Sequence, residues 1–140
     1  MRRNVLLIDD DPDVRLILSC RLRQAGCEVI TASNGLEGLA MLRRQRPWCV
    51  LVDLMMPVMD GFTFLEALQS EPSPPPPVVV VSQLDEPVTA ARVRRLGALE
   101  LFSKGAALDR GFATGLEHLV ASAQYRDLSA TSSRTVSAAA

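Results

Sequence analysis

The chain lacks the features that mark several large functional classes. It has no excess of charge of either sign: 15 Lys and Arg against 16 Asp and Glu give a formal net charge of −1. That leaves no electrostatic footprint for nucleic acid or for an anionic membrane surface. No apolar run approaches the roughly 20 residues of a membrane span, and the N-terminus has no signal-peptide core. Cysteines are few and odd in number. Cys20, Cys27 and Cys49 have no metal-ligand spacing and read as free buried thiols in a reducing, cytoplasmic setting. The single histidine, His118, falls beside the apolar stripe of the last predicted helix and reads as a surface residue. What remains is a 140-residue chain with 48% hydrophobic and 22% charged residues, the composition of one globular domain with a real core.

Short apolar runs alternate with helical periodicity along the chain. Asn4 to Ile8, Val29 to Ala32, Cys49 to Val52, Val78 to Val81 (ending in Ser82) and Leu99 to Ser103 read as strands, most of them buried on both faces. Asp11-Pro12 is a helix start, with Asp as N-cap and Pro where no amide donor is needed. Val14, Ile17, Leu18, Leu22 and Ala25 form the apolar stripe of that helix, which leaves Leu16 and Cys20 off it. Asn34-Gly35 opens a second helix with Leu36, Leu39, Ala40 and Leu42 inward; Arg43, Arg44 and Arg46 crowd its end, where cations suit the helix dipole. Trp48 is expected to pack at the amino end of the sheet. A third helix, about Phe62 to Ser70, buries Phe64, Leu65 and Leu68. The run Ser73-Pro74-Pro75-Pro76-Pro77 then forms an extended connection. Pro87 to Leu96 is a basic fourth helix. A fifth, about Ala106 to Ser122, buries Leu108, Phe112, Leu116, Leu119 and Val120. Residues 1–123 make up the domain, and the Ser/Thr/Ala-rich segment 124–140 has little to bury and is expected to be disordered. Five strands alternating with five helices predict an α/β fold: a single doubly wound domain with a five-stranded parallel sheet.

One stretch stands out chemically. The strand Cys49–Val52 ends abruptly in Asp53, and Met56-Pro57 turns the chain away from helix. A lone carboxylate at the mouth of a buried strand is costly unless something pairs with it. Asp9, Asp10, Asp53, Ser82 and Lys104 all stand just beyond carboxyl ends of predicted strands, the edge where open α/β sheets bind ligands. The pattern alone leaves strand order open, but order 2-1-3-4-5 would gather all five into one pocket. Two unit charges about 4 Å apart repel by roughly 4 kcal/mol at an effective dielectric near 20, so three gathered acids call for a cation. Hard oxygen ligands with no His or Cys nearby point to Mg2+. Lys104 would add a fixed positive charge, Ser82 a hydrogen bond to a phosphoryl oxygen, and Asp53 a carboxylate nucleophile able to form an acyl phosphate.

Several separated motifs, in order, carry a family resemblance: Val-Leu-Leu-Ile-Asp-Asp-Asp-Pro-Asp from Val5, Asp-Leu-Met-Met-Pro-Val-Met-Asp-Gly from Asp53, then Ser82, Leu-Gly-Ala from Leu96, and Lys104. From about Asn4 to Val120 the chain resembles the receiver domain of two-component response regulators, of the chemotaxis-regulator type. The resemblance implies the flavodoxin-like sheet order 2-1-3-4-5. It implies that Asp53 accepts phosphate from a histidine kinase or histidine phosphotransfer protein. Asp10, Asp53 and the backbone carbonyl of Met55 would hold Mg2+ directly, with Asp9 acting through a metal-bound water and Ser82 and Lys104 contacting the phosphoryl group. Such a domain is a signalling phosphoacceptor that passes its state to a downstream effector; it is not a turnover enzyme, although self-catalysed phosphotransfer and slow autodephosphorylation are expected of it. No second, output domain is read in this chain.

Three positions depart from the family pattern. Gly105 stands where most members follow the lysine with proline. Leu101 takes the switch position usually filled by an aromatic residue, and Gln83 is bulkier than the usual neighbour of the hydroxyl residue. These departures keep a second reading open, a pseudo-receiver that docks proteins without phosphate. A haloacid-dehalogenase-type phosphatase would need a second acid at position 55, where the chain has Met55.

Overall fold

The five apolar runs pair side by side, as expected of segments too hydrophobic to leave either face in water. A computed structural model describes residues 3–139, with side chains as far as Arg126. The elements are β1 (Asn4–Ile8), α1 (Pro12–Gln24), β2 (Glu28–Ala32), α2 (Gly35–Gln45), β3 (Cys49–Val52), α3 (Gly61–Gln69), β4 (Val78–Ser82), α4 (Pro87–Arg95), β5 (Glu100–Ser103), α5 (Lys104–Ala107) and α6 (Phe112–Ala139). The strands form one parallel sheet of order β2-β1-β3-β4-β5, the doubly wound order expected. Alternation along each strand splits the core in two. Val5, Leu7, Leu51, Val79 and Val81 face α1 and α6, meeting Leu18, Leu22, Phe112 and Leu116. Leu6, Ile8, Val50, Val52 and Val80 face the other way, onto Leu39, Phe64, Leu65 and Val93. Trp48 is half-buried at the amino edge of the sheet, as expected, beneath the guanidinium of Arg3, which in turn pairs with Glu117.

The helices depart from the sequence reading in three places. In α1 the buried face is Val14, Leu18 and Leu22, one residue per turn, together with Ser19. Ile17 is 42% exposed and Ala25 is exposed, so the true stripe is narrower than the periodicity suggested; Cys20, off that stripe, is exposed, whereas Cys27 and Cys49 are buried as expected. In α2, Leu36 and Ala40 point outward while Gly38 and Leu39 are buried. Gly38 explains this rotation, because a Cβ there would lie 2.4 Å from Ile8 Cδ1. The helix settles on its glycine, closer to β1 than any side chain would permit.

The third departure is at the end of the chain. The expected single last helix is divided. Ser103 caps the four-residue α5 by accepting from the Ala106 N–H at 3.1 Å, and Asp109-Arg110-Gly111 then makes a turn before α6. That turn is closed by the Phe112 N–H donating to the Asp109 carbonyl at 3.2 Å. Beyond Ser122 the backbone stays helical to Ala139, across the segment expected to be disordered. No Gly or Pro stands between Gly115 and Ala139 to interrupt it. Among the described side chains Ala123 is the last buried one and Gln124 to Arg126 are exposed; the side chains from 127 onward lie outside the described residues. The prolines run as an irregular link into β4, with the Pro77 carbonyl accepting from Val50 N–H at 2.9 Å.

The loop between β3 and α3 is folded tightly against the strand it leaves. Val58 has φ +69°, a conformation costly for a β-branched residue, with the Met59 N–H donating to the Pro57 carbonyl at 2.8 Å to close a three-residue turn. Asp60 caps α3, accepting from Thr63 N–H at 2.8 Å. Gly61 then passes directly over the strand end, where a Cβ would stand 2.3 Å from the Asp53 carbonyl oxygen and 2.8 Å from Leu54 Cα. Both neighbours are backbone and cannot move aside. Gly61→Ala is therefore expected to cost roughly 2–3 kcal/mol through forced displacement of the loop. Gly115→Ala, in the interior of α6 with nothing within 4 Å, is expected to gain about 0.5–1 kcal/mol. Urea unfolding of the two variants measures both; equal effects would contradict the close approach at Gly61.

Candidate functional site at the carboxyl edge of the sheet

Placing β1 beside β3 brings the two acidic strand ends together. Ile8 pairs with Val52, so Asp9 and Asp53 are the next residues on neighbouring strands, and the Asp53 N–H donates to the Ile8 carbonyl at 2.9 Å. Asp9 is 2% exposed and Asp53 3% exposed. Asp10 stands outside them in solvent, yet one carboxylate oxygen from each of the three acids lies within 4.8 Å of the others. Lys104, at the end of β5, reaches across β4 to this cluster. Its Nζ is 3.1 Å from Asp53 Oδ2 and 3.3 Å from Asp9 Oδ2.

Backbone donors complete the cluster. Asp9 Oδ1 accepts from Asp11 N–H at 2.9 Å, and Asp53 Oδ1 accepts from Met55 N–H at 3.4 Å. The Asp11 side chain caps α1, accepting from Asp13 and Val14 N–H. Ser82 is fully buried at the end of β4, two residues past the Val52–Val80 pair, and its hydroxyl oxygen accepts from Leu84 N–H at 3.2 Å. Met55 is exposed beside Asp53. Leu101 pairs with Val80 in β5 and is half-buried against the core on the α2–α4 side. Asp9, Asp53 and Lys104 are thus joined by direct contacts, Asp10 lies within 4.8 Å of the other two acids without bonding to them, and Ser82 is on the same edge; Leu101 lies deeper in the sheet.

The charges in this cluster act on one another. Burial pushes the Asp9 carboxyl above its ordinary value and the neighbouring Asp53 charge adds to this, against the Asp11 N–H and Lys104, which pull it down. For Lys104, burial alone would lower the ammonium; the hydrogen bond and charge of Asp53, followed by those of Asp9, outweigh it and hold the group above its ordinary value. One ammonium does not balance three carboxylates. The site is an oxygen-only cluster with negative charge left over, a donor set that fits a hard divalent cation such as Mg2+.

The residues that sequence reasoning missed are cations. Arg15, four residues after the helix cap, turns back so that its Nη1 donates to the Asp9 carbonyl at 2.7 Å. Arg92, read from sequence as part of a basic helix face, lies 3.8 Å over the ring of Phe62 and ties α4 to the start of α3. The helical spacing from Asp11 was the available signal for Arg15; nothing local signalled the Arg92 contact.

The response regulator receiver domain family matches residues 5–114, the span that carries the sheet and all of this site. The chain belongs to that family. Among curated relatives, this receiver is 38% identical over 114 residues to protein-glutamate methylesterase/protein-glutamine glutaminase 1 of Anaeromyxobacter dehalogenans, covering 80% of this chain and 32% of that protein. It is 39% identical over 85 residues to the probable transcriptional regulator ycf27 of Porphyra purpurea, covering 61% of this chain and 34% of that one. The chain spans about a third of the length of these relatives. Among solved structures, the receiver superposes on the chemotaxis response regulator CheY4 of Vibrio cholerae with TM-score 0.73 and 27% identity, over 85% of this chain and 99% of that one. The Francisella response regulator 1452 receiver domain, at 22% identity and TM-score 0.79, covers 87% of this chain and 99% of its own and shares the fold. Among the described residues no helix is long and apolar enough to cross a membrane.

The raised Asp9 gives a sign-defined expectation for the receiver without metal. A carboxyl whose folded pKa exceeds its unfolded value contributes stability below the unfolded value of 3.8 that is lost as pH rises through the folded one. At neutral pH the ionised Asp9 is therefore a cost, and Asp9→Asn should melt higher than wild type by roughly 2–5 °C in chelator. The gap should close as pH falls toward about 4. Thermal unfolding across that range checks it, and an Asn variant that melts lower at neutral pH would contradict it.

Proposed function

We propose that this receiver accepts a phosphoryl group on Asp53 from the phosphohistidine of a histidine kinase or histidine phosphotransfer protein. The observation that carries the reading is the buried Asp53 carboxylate held 3.1 Å from the Lys104 ammonium beside two further acids. A carboxylate oxygen of Asp53 attacks phosphorus, the phosphorus–nitrogen bond breaks, and its electron pair returns to the imidazole. Lys104 balances the charge gathering on the phosphoryl oxygens. Ser82 can donate its hydroxyl proton to one of them while still accepting from Leu84, since a hydroxyl has one donor and two acceptor positions. Asp10, Asp53 and the Met55 carbonyl would hold Mg2+, with Asp9 acting through water. When bound, the ion supplies positive charge that the three acids lack and that the incoming phosphoryl group needs.

We read the receiver as a cytoplasmic signalling domain whose own catalysis is limited to its phosphorylation and slow dephosphorylation, and which contacts neither nucleic acid nor membrane. The donor is expected to dock on α1, where Leu16, Ile17 and Cys20 are exposed along a groove of about 750 Å³ that runs to Phe112 at the start of α6. With Leu101 in place of an aromatic switch, the face formed by α4, β5 and α6 should be weakly remodelled. That favours a shuttle or phosphate sink over a strongly switching output, with any downstream effector engaged chiefly through α1. Gln83, Leu101 and Gly105 support a second reading, a receiver that docks partners without phosphate.

Incubation with acetyl phosphate and Mg2+, followed by intact-mass measurement, separates the two. Wild type should gain one phosphoryl mass, Asp53→Asn none, and Lys104→Ala a strongly reduced fraction. Phosphate located on His118 or on a serine after Gln124 would overturn Asp53, and an unmodified wild type would favour the docking module.

A further inference from the structure

Of the three clustered acids, Asp10 is the one whose orientation its own side chain does not secure. Asp9 and Asp53 are buried and each accepts a backbone N–H and pairs with Lys104. Asp10 is exposed, and its carboxylate has no hydrogen bond or ion pair among the described residues. Its direction therefore follows from the backbone that carries it. That backbone is held on both sides: the Asp9 N–H donates to the Ala32 carbonyl at 3.1 Å, and the Asp11 N–H donates to Asp9 Oδ1 at 2.9 Å. Between these anchors one peptide unit remains, linking Asp9 to Asp10. Its carbonyl is gripped by Arg15, Nη1 to oxygen 2.7 Å, from a half-buried side chain on the first turns of α1. Arg15 is fixed in its turn, because its own N–H donates to the Asp11 carbonyl at 3.0 Å as part of the helix that Asp11 caps.

We propose that Arg15 is a positioning residue for the divalent-cation site: by holding the Asp9–Asp10 peptide it aims the exposed Asp10 carboxylate at Asp53. The inference rests on the metal reading above. Its interest lies in a conflict of signs. A guanidinium close to a cation site repels the cation, so on charge alone removing Arg15 would tighten Mg2+ binding. Positioning predicts the opposite, because outer partners that orient ligands typically carry a ten-fold or greater share of metal affinity.

Titration calorimetry with MgCl2 alone, on the full chain, decides between them. Arg15→Met should weaken Mg2+ binding on the order of ten-fold. Arg15→Lys, which keeps a donor and the charge, should recover most of the loss. Metal-free melting temperatures of both variants report any general damage to α1; a drop in stability without a change in Mg2+ affinity would overturn the proposal, as would unchanged or tighter binding by Arg15→Met. Should Arg15→Met fail to fold, wild-type affinity compared with Arg15→Lys still tests it, since a lysine ammonium cannot fully reproduce the directed Nη1 donation to the Asp9 carbonyl and should weaken binding measurably; full equality would count against it. If wild type itself binds no Mg2+, both the metal reading and this inference fall; if wild type binds and Arg15→Met binds equally well, the metal reading stands and this inference falls.

Discussion

The structure depends on a single ammonium. Lys104 sits between two carboxylates that are almost fully withdrawn from water, and without it those charges would face each other across adjacent strands. Removing Lys104 would leave two desolvated carboxylates uncompensated, which is far more damaging than replacing the whole set. That constraint reaches back through the fold. Lys104 arrives from β5, Asp53 from β3 and Asp9 from β1, so three strands must end at the same level for the charges to meet. The sheet order and the in-register ends of β1 and β3 are what the ion cluster requires of the backbone.

The same cluster explains why the fold was legible. The strands were readable from composition, since runs such as Val78–Val81 suit a sheet covered on both faces, and the order followed from family resemblance once Asp9, Asp10, Asp53, Ser82 and Lys104 were seen to fall at strand ends. Helix faces were harder. The outward turn of Leu36 and Ala40 is set by Gly38 lying against Ile8, a contact between residues thirty apart that no local periodicity contains. The break between α5 and α6 depends on a Ser103 cap and an Asp109 turn, both weak local signals beside a strong apolar stripe. Arg15 was missed for a different reason: its spacing from Asp11 places it near the site, but a half-buried arginine on a helix reads as a solvated charge until its acceptor, a backbone carbonyl, is known.

The β3–α3 loop combines economy with strain. Val58 holds a left-handed backbone that costs a β-branched residue on the order of 1–3 kcal/mol, and Gly61 presses against the carbonyl of Asp53 itself. The loop is thus held over Asp53 by neighbours that leave no slack, while Gly35 N–H anchors its far side by donating to the Met59 carbonyl at 3.1 Å. A rigid loop keeps the Asp53 carboxylate in one place relative to Lys104.

Trp48, the chain's one tryptophan, lies at the opposite end of β3 from Asp53. The four strand residues Cys49–Val52 lie between them, and five steps at about 3.3 Å per residue make roughly 16 Å. Half-buried beneath Arg3, the indole is placed to emit as a gauge of whether the sheet is assembled, and it is too distant to be quenched by an ion or an anion arriving among the acids. The intrinsic fluorescence of this receiver is therefore a clean optical record of folding and a blind one for occupancy. An optical reporter of the site would have to be built in near Met55 or Leu84, both exposed on the loops that flank Asp53 and Ser82.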